Sequence, residues 1–236
     1  MFREQVNACS WESGEFSDGE NMKRISVFLI SLILLVFIAS AAVFAYEAED
    51  ARQKLIEGNK RYVDAKMIYP NQTALRRSEI AKGQHPFAVI LGCSDSRVPP
   101  EIIFDQGLGD LFVIRVAGNI TDNVVLGSIE YAVEHLGVRY IMVLGHEGCG
   151  AVEATVKEGH APGHIDCIVK AIRPVLKKIK NSPGDTLDNA VRANVLSVVA
   201  QLKSSKPILA ELFKKGELVI DGARYDLEDG NVRIIP

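Results

Sequence analysis

The sequence predicts an α/β domain with a central, mainly parallel β-sheet flanked by helices, an N-terminal arm helix and a C-terminal hairpin at the sheet edge. Three observations support this fold class. Short apolar runs end at glycine or at a polar cluster, as strands covered on both faces do. A helical pattern separates two of the runs, and the C-terminal tail alternates around a turn. The runs are PFAVILGC (86–93), DLFVIRVAG (110–118) and RYIMVLGH (139–146).

The arm helix is predicted at 48–64, ahead of the first strand. Helix-forming residues predominate there, and Ala51, Leu55, Ile56 and Tyr62 fall roughly on one helical face. One face of this helix should therefore be covered by other parts of the protein.

A crossover helix is predicted between the second and third strands. Gly137 suits its C-terminal cap. Strand, helix and strand in this order form a right-handed βαβ unit, so the two strands should be parallel. The apolar positions at helical spacing are Val124, Val125, Ile129, Ala132, Val133 and Leu136.

The second half of the chain is predicted to be mainly helical. We expect helices at 149–158, 165–180, 187–204 and 207–215, the third of them entered through the turn NSPGD. The tail GELVIDGARYDLEDGNVRII alternates and carries the turn dipeptide Asp229-Gly230, which predicts a β-hairpin.

Composition places the chain among globular proteins. It is 47% hydrophobic and 24% charged over 236 residues, which is enough to bury a core. The net charge of -3 does not indicate the basic surface with which proteins usually bind DNA or RNA. We therefore expect small neutral or anionic ligands and no nucleic acid, and a single domain at 46–236.

The residues before this domain predict export. A basic start at 22–24 precedes an uncharged apolar run at 25–45, whose small-residue end resembles a cleavage site, so 22–45 is a signal peptide or a membrane anchor. If it is not cleaved, the run is long enough to span a bilayer and is the only expected membrane contact. Residues 1–21 are polar and are interpreted as a disordered upstream extension. The domain should be periplasmic, secreted, or anchored facing outside the cytoplasm.

Two motifs follow two of the predicted strands. The first, LGCSDSRVP, places Cys93, Asp95 and Arg97 in alternate positions, and the second, GHEGCGAV, places His146 and Cys149 three apart. Because ligands bind beyond the carboxyl ends of strands in open parallel sheets, the two motifs should meet. Alone, each motif is as consistent with a structural role as with a functional one: the cysteine could simply pack in the core, and the histidine could merely stand at a helix entry.

Together the motifs predict a metal site. One imidazole and two thiolates favour Zn²⁺, and three protein ligands leave a fourth position open, as in catalytic zinc sites. Asp95 is near enough to Cys93 in sequence to reach that fourth position or a water that occupies it. Arg97 can form an ion pair that orients the carboxylate.

The pairing of C-x-D-x-R with H-x-x-C-G, followed by S-x-E-Y-A on the crossover helix, resembles the β-class carbonic anhydrases. The resemblance extends from about Ala48 to the C-terminus. It implies one zinc ion per chain, held by Cys93, His146 and Cys149. The implied reaction is reversible hydration of CO2 to bicarbonate and a proton by hydroxide on the zinc.

The resemblance also implies roles for neighbouring residues. Gln84, and Ile90 where some relatives have tryptophan, favour the open, plant-like subtype, in which Asp95 pairs with Arg97 and does not ligate zinc. The substrate-contacting residues are Phe112, Ala117 and Tyr131, Gln84 of the neighbouring protomer, and the backbone N–H of Gly150 at a helix N-terminus.

Proton transfer has a candidate carrier in His135, four residues after Tyr131 on the same helix face. The alternative is that His135 only packs near the helix end. Self-association as a homodimer or a dimer of dimers, through the arm helix, is implied by the same resemblance.

Other functions remain open at this point. A hydrolase of carbon disulfide or carbonyl sulfide would have the same fold and zinc, and a non-catalytic zinc-binding module would not need Asp95 or Arg97. A thiol phosphatase needs five residues between cysteine and arginine, where this chain has three. A C-x-x-C redox motif is absent from the sequence.

Overall fold

A computed structural model describes residues 18–157 and 161–236 of the chain. Their contacts divide the chain after Ser40 into an N-terminal unit and a larger unit, Ala41–Pro236. The extension expected at 1–21 lies outside the described residues except at 18–21, where the first helix begins.

The larger unit is built on a five-stranded sheet in the order β2-β1-β3-β4-β5. The first four strands are parallel and β5 is antiparallel to β4, so the predicted α/β fold with its edge hairpin is confirmed. Every residue of the two central strands, β1 and β3, is buried. The strands are β1 (Ala88–Gly92), β2 (Leu111–Arg115), β3 (Tyr140–His146), β4 (Val219–Tyr225) and β5 (Val232–Ile235).

Nine α-helices occur in the described residues, most of them where the sequence predicts helix. They are α1 (Asp18–Val63), α2 (Ala74–Ile80), α3 (Pro100–Ile103), α4 (Asn123–His135), α5 (Gly150–Lys157), α6 (Ile165–Ile172), α7 (Leu176–Ile179), α8 (Thr186–Ser204) and α9 (Ile208–Lys214). Short 3-10 turns occupy Ala117–Asn119 and Arg173–Val175.

Two parts of this assignment differ from the sequence prediction. The helix predicted at 165–180 is divided around Pro174, because proline has no N–H to donate and its ring disrupts a continuous helix. The short helices α2 and α3 were not predicted. The hydroxyl of Thr73 caps α2 by accepting a hydrogen bond from the N–H of Arg76 at 3.1 Å.

Helix α1 ends where the arm helix was predicted to end, but it begins much earlier. The apolar run at 25–45 contains neither glycine nor proline, so nothing in it interrupts the helical backbone.

Among the residues that the structure describes, no helix is both long and apolar enough to cross a membrane.

Helices cover both faces of the sheet. On one face, Ala48, Ala51 and Leu55 of α1 are buried against residues of the sheet. On the other face, α4, α8 and α9 form a second apolar core. Helix α8 lies directly on β3 and β4, since a Cβ on Gly145 or Gly222 would come within 2.7 Å of Val195.

The buried amide of Asn59 joins α1 to two distant segments. Its Nδ2 donates hydrogen bonds to the carbonyl oxygens of Ile103 at 3.2 Å and Gly230 at 2.9 Å. Its Oδ1 accepts one from the N–H of Val232 at 2.8 Å. The C-terminal hairpin is therefore attached to α1 by side-chain hydrogen bonds.

The close approach of Gly58, the residue before Asn59, to the backbone of Phe104 leads to a stability prediction. A Cβ on Gly58 would lie 1.8 Å from the carbonyl oxygen of Phe104, which is backbone and cannot turn away. We expect Gly58→Ala to lower the free energy of unfolding by about 3 kcal/mol, measured by chemical denaturation. Gly127→Ala is the matched control, because nothing lies within 4 Å of its Cβ. In the middle of α4 this change should stabilise by about 0.5 to 1 kcal/mol. Equal stability of the two variants would contradict the prediction.

Candidate metal centre

The sheet brings the two sequence motifs together at one edge. Cys93 directly follows β1, His146 ends β3, and Cys149 directly precedes α5. Since β1 and β3 are neighbouring parallel strands, their carboxyl ends meet although the motifs are far apart in sequence. All three side chains are buried, and their ligand atoms lie within 4.8 Å of one another.

The orientation of His146 fits a metal ion. Its Nδ1 lies 2.8 Å from the carbonyl oxygen of Glu147, and it can only donate to that oxygen, which places the proton on Nδ1. The other nitrogen, Nε2, is buried and has no hydrogen-bond partner in the described part of the chain. An unpartnered buried nitrogen beside two thiols is the donor set that zinc requires.

The two thiols are close enough to affect each other. A hydrogen bond with Cys149 lowers the pKa of the Cys93 thiol to about 4, and the N–H of Gly118, 3.3 Å from Cys93 Sγ, acts in the same direction. The same hydrogen bond to Cys93 raises the pKa of Cys149. Without a metal the pair therefore holds one negative charge, and a bound dication favours loss of the second proton.

Asp95 lies beside this site and is held by Arg97. The guanidinium donates to both carboxylate oxygens, from Nε at 2.9 Å and from Nη2 at 2.8 Å, and the backbone N–H of Arg97 adds a third bond at 3.0 Å. The hydrogen bonds from Arg97 hold the pKa of Asp95 well below its usual range. Its Oδ2 lies 3.8 Å from Nε2 of His146. An ionised carboxylate therefore faces the position where a metal would lie.

The residue that fixes this loop is one that no sequence pattern singled out. Arg115, at the end of β2, donates from Nε to the carbonyl oxygen of Cys93 at 2.9 Å and from Nη2 to that of Asp95 at 2.5 Å. The buried Asn194 of α8 donates to the carbonyl of Gly118 at 2.8 Å. These bonds span 20 positions or more, and no local pattern marks them.

Other predicted site residues lie on β2, on α4, in the turn that begins at Ala117 and at the start of α5. Phe112 on β2 and Tyr131 on α4 have ring centroids 6.3 Å apart, and the rings of Tyr131 and His135 are 5.1 Å apart. Both Tyr131 and His135 are exposed. Ala117 begins the turn that places the Gly118 N–H near Cys93, and Gly150 is the first residue of α5.

Gln84 does not lie with the ligands of its own chain. It is exposed and precedes β1, whereas Cys93 follows it. The five residues of β1 separate the two by about 17 Å at ~3.3 Å per residue. Within one chain its amide cannot reach the metal site.

Comparison with known proteins decides the family. Residues 88–232 match the family model described as carbonic anhydrase. The chain belongs to the β-carbonic anhydrase family. A curated carbonic anhydrase of Mycolicibacterium smegmatis is 43% identical over 188 residues, which cover 78% of this chain and 91% of that protein.

Solved β-carbonic anhydrases have the same fold. A tetrameric enzyme of Sordaria macrospora is 28% identical with a TM-score of 0.63, over 67% of this chain and 85% of its own. The Coccomyxa enzyme in complex with acetazolamide is 29% identical with a TM-score of 0.63, over 77% of this chain and 84% of its own.

Family membership establishes the reaction and the cofactor. The protein is a zinc-dependent carbonic anhydrase, and its reaction is the reversible hydration of CO2. The grouped side chains of Cys93, His146 and Cys149 are the residues that fit the zinc ion.

Proposed function

We propose that Cys93, His146 and Cys149 hold one zinc ion per chain, and that Asp95 and Arg97 orient the nucleophile that attacks CO2. One observation carries this proposal: the unpartnered Nε2 of His146 lies among two thiols, with the Asp95 carboxylate 3.8 Å away. When bound, zinc lowers the pKa of a coordinated water from about 16 toward ~7, so that a nucleophile exists at neutral pH.

Asp95 is suited to accept a hydrogen bond from that nucleophile. Each carboxylate oxygen has two lone pairs; Oδ1 accepts two of the bonds from Arg97 and Oδ2 accepts one, so Oδ2, the oxygen near His146, keeps a free lone pair. The two hydrogen bonds from the Arg97 guanidinium fix the direction of this free lone pair and keep the carboxylate ionised. Asp95 therefore acts as an oriented acceptor, and Arg97 positions it.

The substrate is expected to enter between the metal and the aromatic pair. Phe112 and Tyr131 offer an apolar surface to CO2, with Ala117 at the adjoining turn. The N–H of Gly150, in the first turn of α5, is available to bicarbonate.

Stopped-flow CO2 hydration by the zinc-loaded full chain tests this function. We expect fast hydration that is lost on chelation and restored by zinc. A protein that holds one zinc per chain but does not hydrate CO2 would refute the proposal, and assays with carbon disulfide and carbonyl sulfide would then follow.

His135 is proposed to carry protons between the site and the buffer. Imidazole exchanges protons near neutral pH, and the ring of His135 lies tilted against that of Tyr131, with centroids 5.1 Å apart, at the surface of α4. We expect His135→Ala to lower kcat by about tenfold in dilute buffer, with added imidazole restoring it. The exposed His164, before α6, provides the control His164→Ala, which should leave kcat unchanged. An equal kcat for His135→Ala and the wild type in dilute buffer would refute this role.

Gln84 is proposed to act in a neighbouring protomer of a homodimer or a dimer of dimers. Its exposure and its distance from its own metal site support this, as does the existence of tetrameric relatives. Mixing Gln84→Ala chains with Asp95→Asn chains should restore activity, because one site of the mixed dimer then has both residues. Activity no higher than the sum of the separate variants would argue against it.

The domain is also proposed to act outside the cytoplasm, with 22–45 as a cleaved signal peptide or an anchor. The basic start and the apolar run support this. Intact mass of the exported protein tests it: a first residue near Tyr46 means cleavage, and retention of Phe28 to Phe37 means an anchor. Recovery of all the protein from the cytoplasm would refute export.

A further inference from the structure

A buried arginine lies one strand away from the metal ligands. Arg224 on β4 is paired in register with Gly145, next to His146, and only 6% of its surface is exposed. Burying a guanidinium is unfavourable unless carboxylates surround it. Its partners therefore indicate which segments it holds.

Three carboxylates from three segments surround Arg224. Its Nε lies 2.5 Å from Asp188 in the first turn of α8, and its Nη1 lies 2.9 Å from Asp226 in the turn after β4. Its Nη2 lies 3.4 Å from Oε1 of Glu147. Of the three partners, Glu147 alone adjoins a metal ligand in sequence.

Glu147 is fixed at both its backbone and its side chain. Its N–H donates to the carbonyl oxygen of Tyr225 at 2.9 Å, which extends the sheet ladder beyond His146. Its Oε2 accepts a hydrogen bond from the N–H of Leu227 at 3.2 Å, and its Oε1 faces Arg224. The residue is thereby held from the β4 side at three points.

The carbonyl oxygen of this fixed residue accepts the Nδ1–H of His146 at 2.8 Å. In metal sites, the partner of the second imidazole nitrogen sets the tautomer and the direction of the ring. Here the partner is a backbone carbonyl, so its direction depends on how firmly residue 147 is held.

We propose that Glu147 is a positioning residue of the zinc site. Held by Arg224 and the N–H of Leu227, it fixes the carbonyl that keeps His146 in its Nδ1–H tautomer, with Nε2 directed at the metal position. This inference rests on the proposed zinc function, and it concerns how firmly zinc is held.

The test uses the full-length chain labelled with ¹⁵N-histidine, with and without zinc. In Glu147→Ala we expect zinc release to a chelator to be about tenfold faster than in the wild type. In the metal-free protein, the ¹⁵N resonances of His146 should move away from the Nδ1–H state. Glu147→Gln keeps one acceptor oxygen, which can serve only one of the two donors, so it should lie between Glu147→Ala and the wild type.

Arg233→Ala is the matched control. Arg233 pairs with Asp226 at 3.5 Å and with Asp229 at 2.6 Å in the same turn, and in the described part of the chain it forms no hydrogen bond or ion pair with Glu147. It should leave both measurements unchanged. Wild-type zinc release and an unchanged tautomer in Glu147→Ala, or an equal effect of Arg233→Ala, would overturn the inference. A wild-type chain that binds no zinc would instead overturn the proposed function, while the tautomer of the metal-free protein would still test the positioning role.

Discussion

Asp95→Asn is expected to lower kcat/KM for CO2 hydration by about 10²-fold or more, without loss of zinc. The neutral amide is a weaker acceptor, and its NH2 group would face either Arg97 or the nucleophile. The zinc content should remain at one ion per chain, because Asp95 is held by Arg97 and is not one of the grouped ligands. The measurements are stopped-flow hydration and metal analysis of the same preparation.

The control for this variant is Asp50→Asn. Asp50 pairs with Lys54 on α1, 2.6 Å away, and its side chain is 44% exposed. The substitution Asp50→Asn removes one carboxylate charge at a position far from the site in sequence. It should therefore leave kcat/KM unchanged. Loss of both zinc and activity in Asp95→Asn would mean that Asp95 ligates the metal, contrary to the role assigned to it.

Cys149→Ser is expected to abolish stable zinc binding and, with it, hydration. The thiolate is the form that ligates zinc, and serine keeps its proton far above neutral pH. Cys149 is 1% exposed, so the smaller hydroxyl can occupy the same site with little rearrangement. After dialysis we expect less than about a tenth of the wild-type zinc content, given that the metal affinity depends on deprotonated ligands.

Cys167→Ser is the matched control for this substitution. Cys167 is free and exposed on α6, outside the grouped ligands. Its loss should change neither zinc content nor rate. Retention of a full zinc complement by Cys149→Ser would show that the ion is held by another set of residues.

The strands and the ligand set could be predicted from the sequence for a physical reason. Because β1 and β3 are buried along their whole length, they stand out as continuous apolar runs. Parallel strands place their carboxyl ends at the same edge of a sheet. Cys93 and His146 could therefore be predicted to lie at one edge without knowledge of any contact.

The parts that could not be predicted depend on pairings across the sheet. Arg115 reaches Cys93 and Asp95 only because β2 lies beside β1, and Arg224 reaches Glu147 only because β4 lies beside β3. Neither arginine belongs to a hydrophobic periodicity or to a motif that could be recognised in the sequence. The break near Pro174 did carry a signal, since proline seldom continues a helix.

The hydrogen bonds of Asn59 have a consequence for synthesis. They tie helix α1 to Gly230 and Val232, which are synthesised 171 and 173 residues after Asn59. Domains generally fold as units during and after synthesis. Helix α1 must therefore wait for β5 before this unit closes, and a chain that ends before Gly230 would leave the helix without these partners.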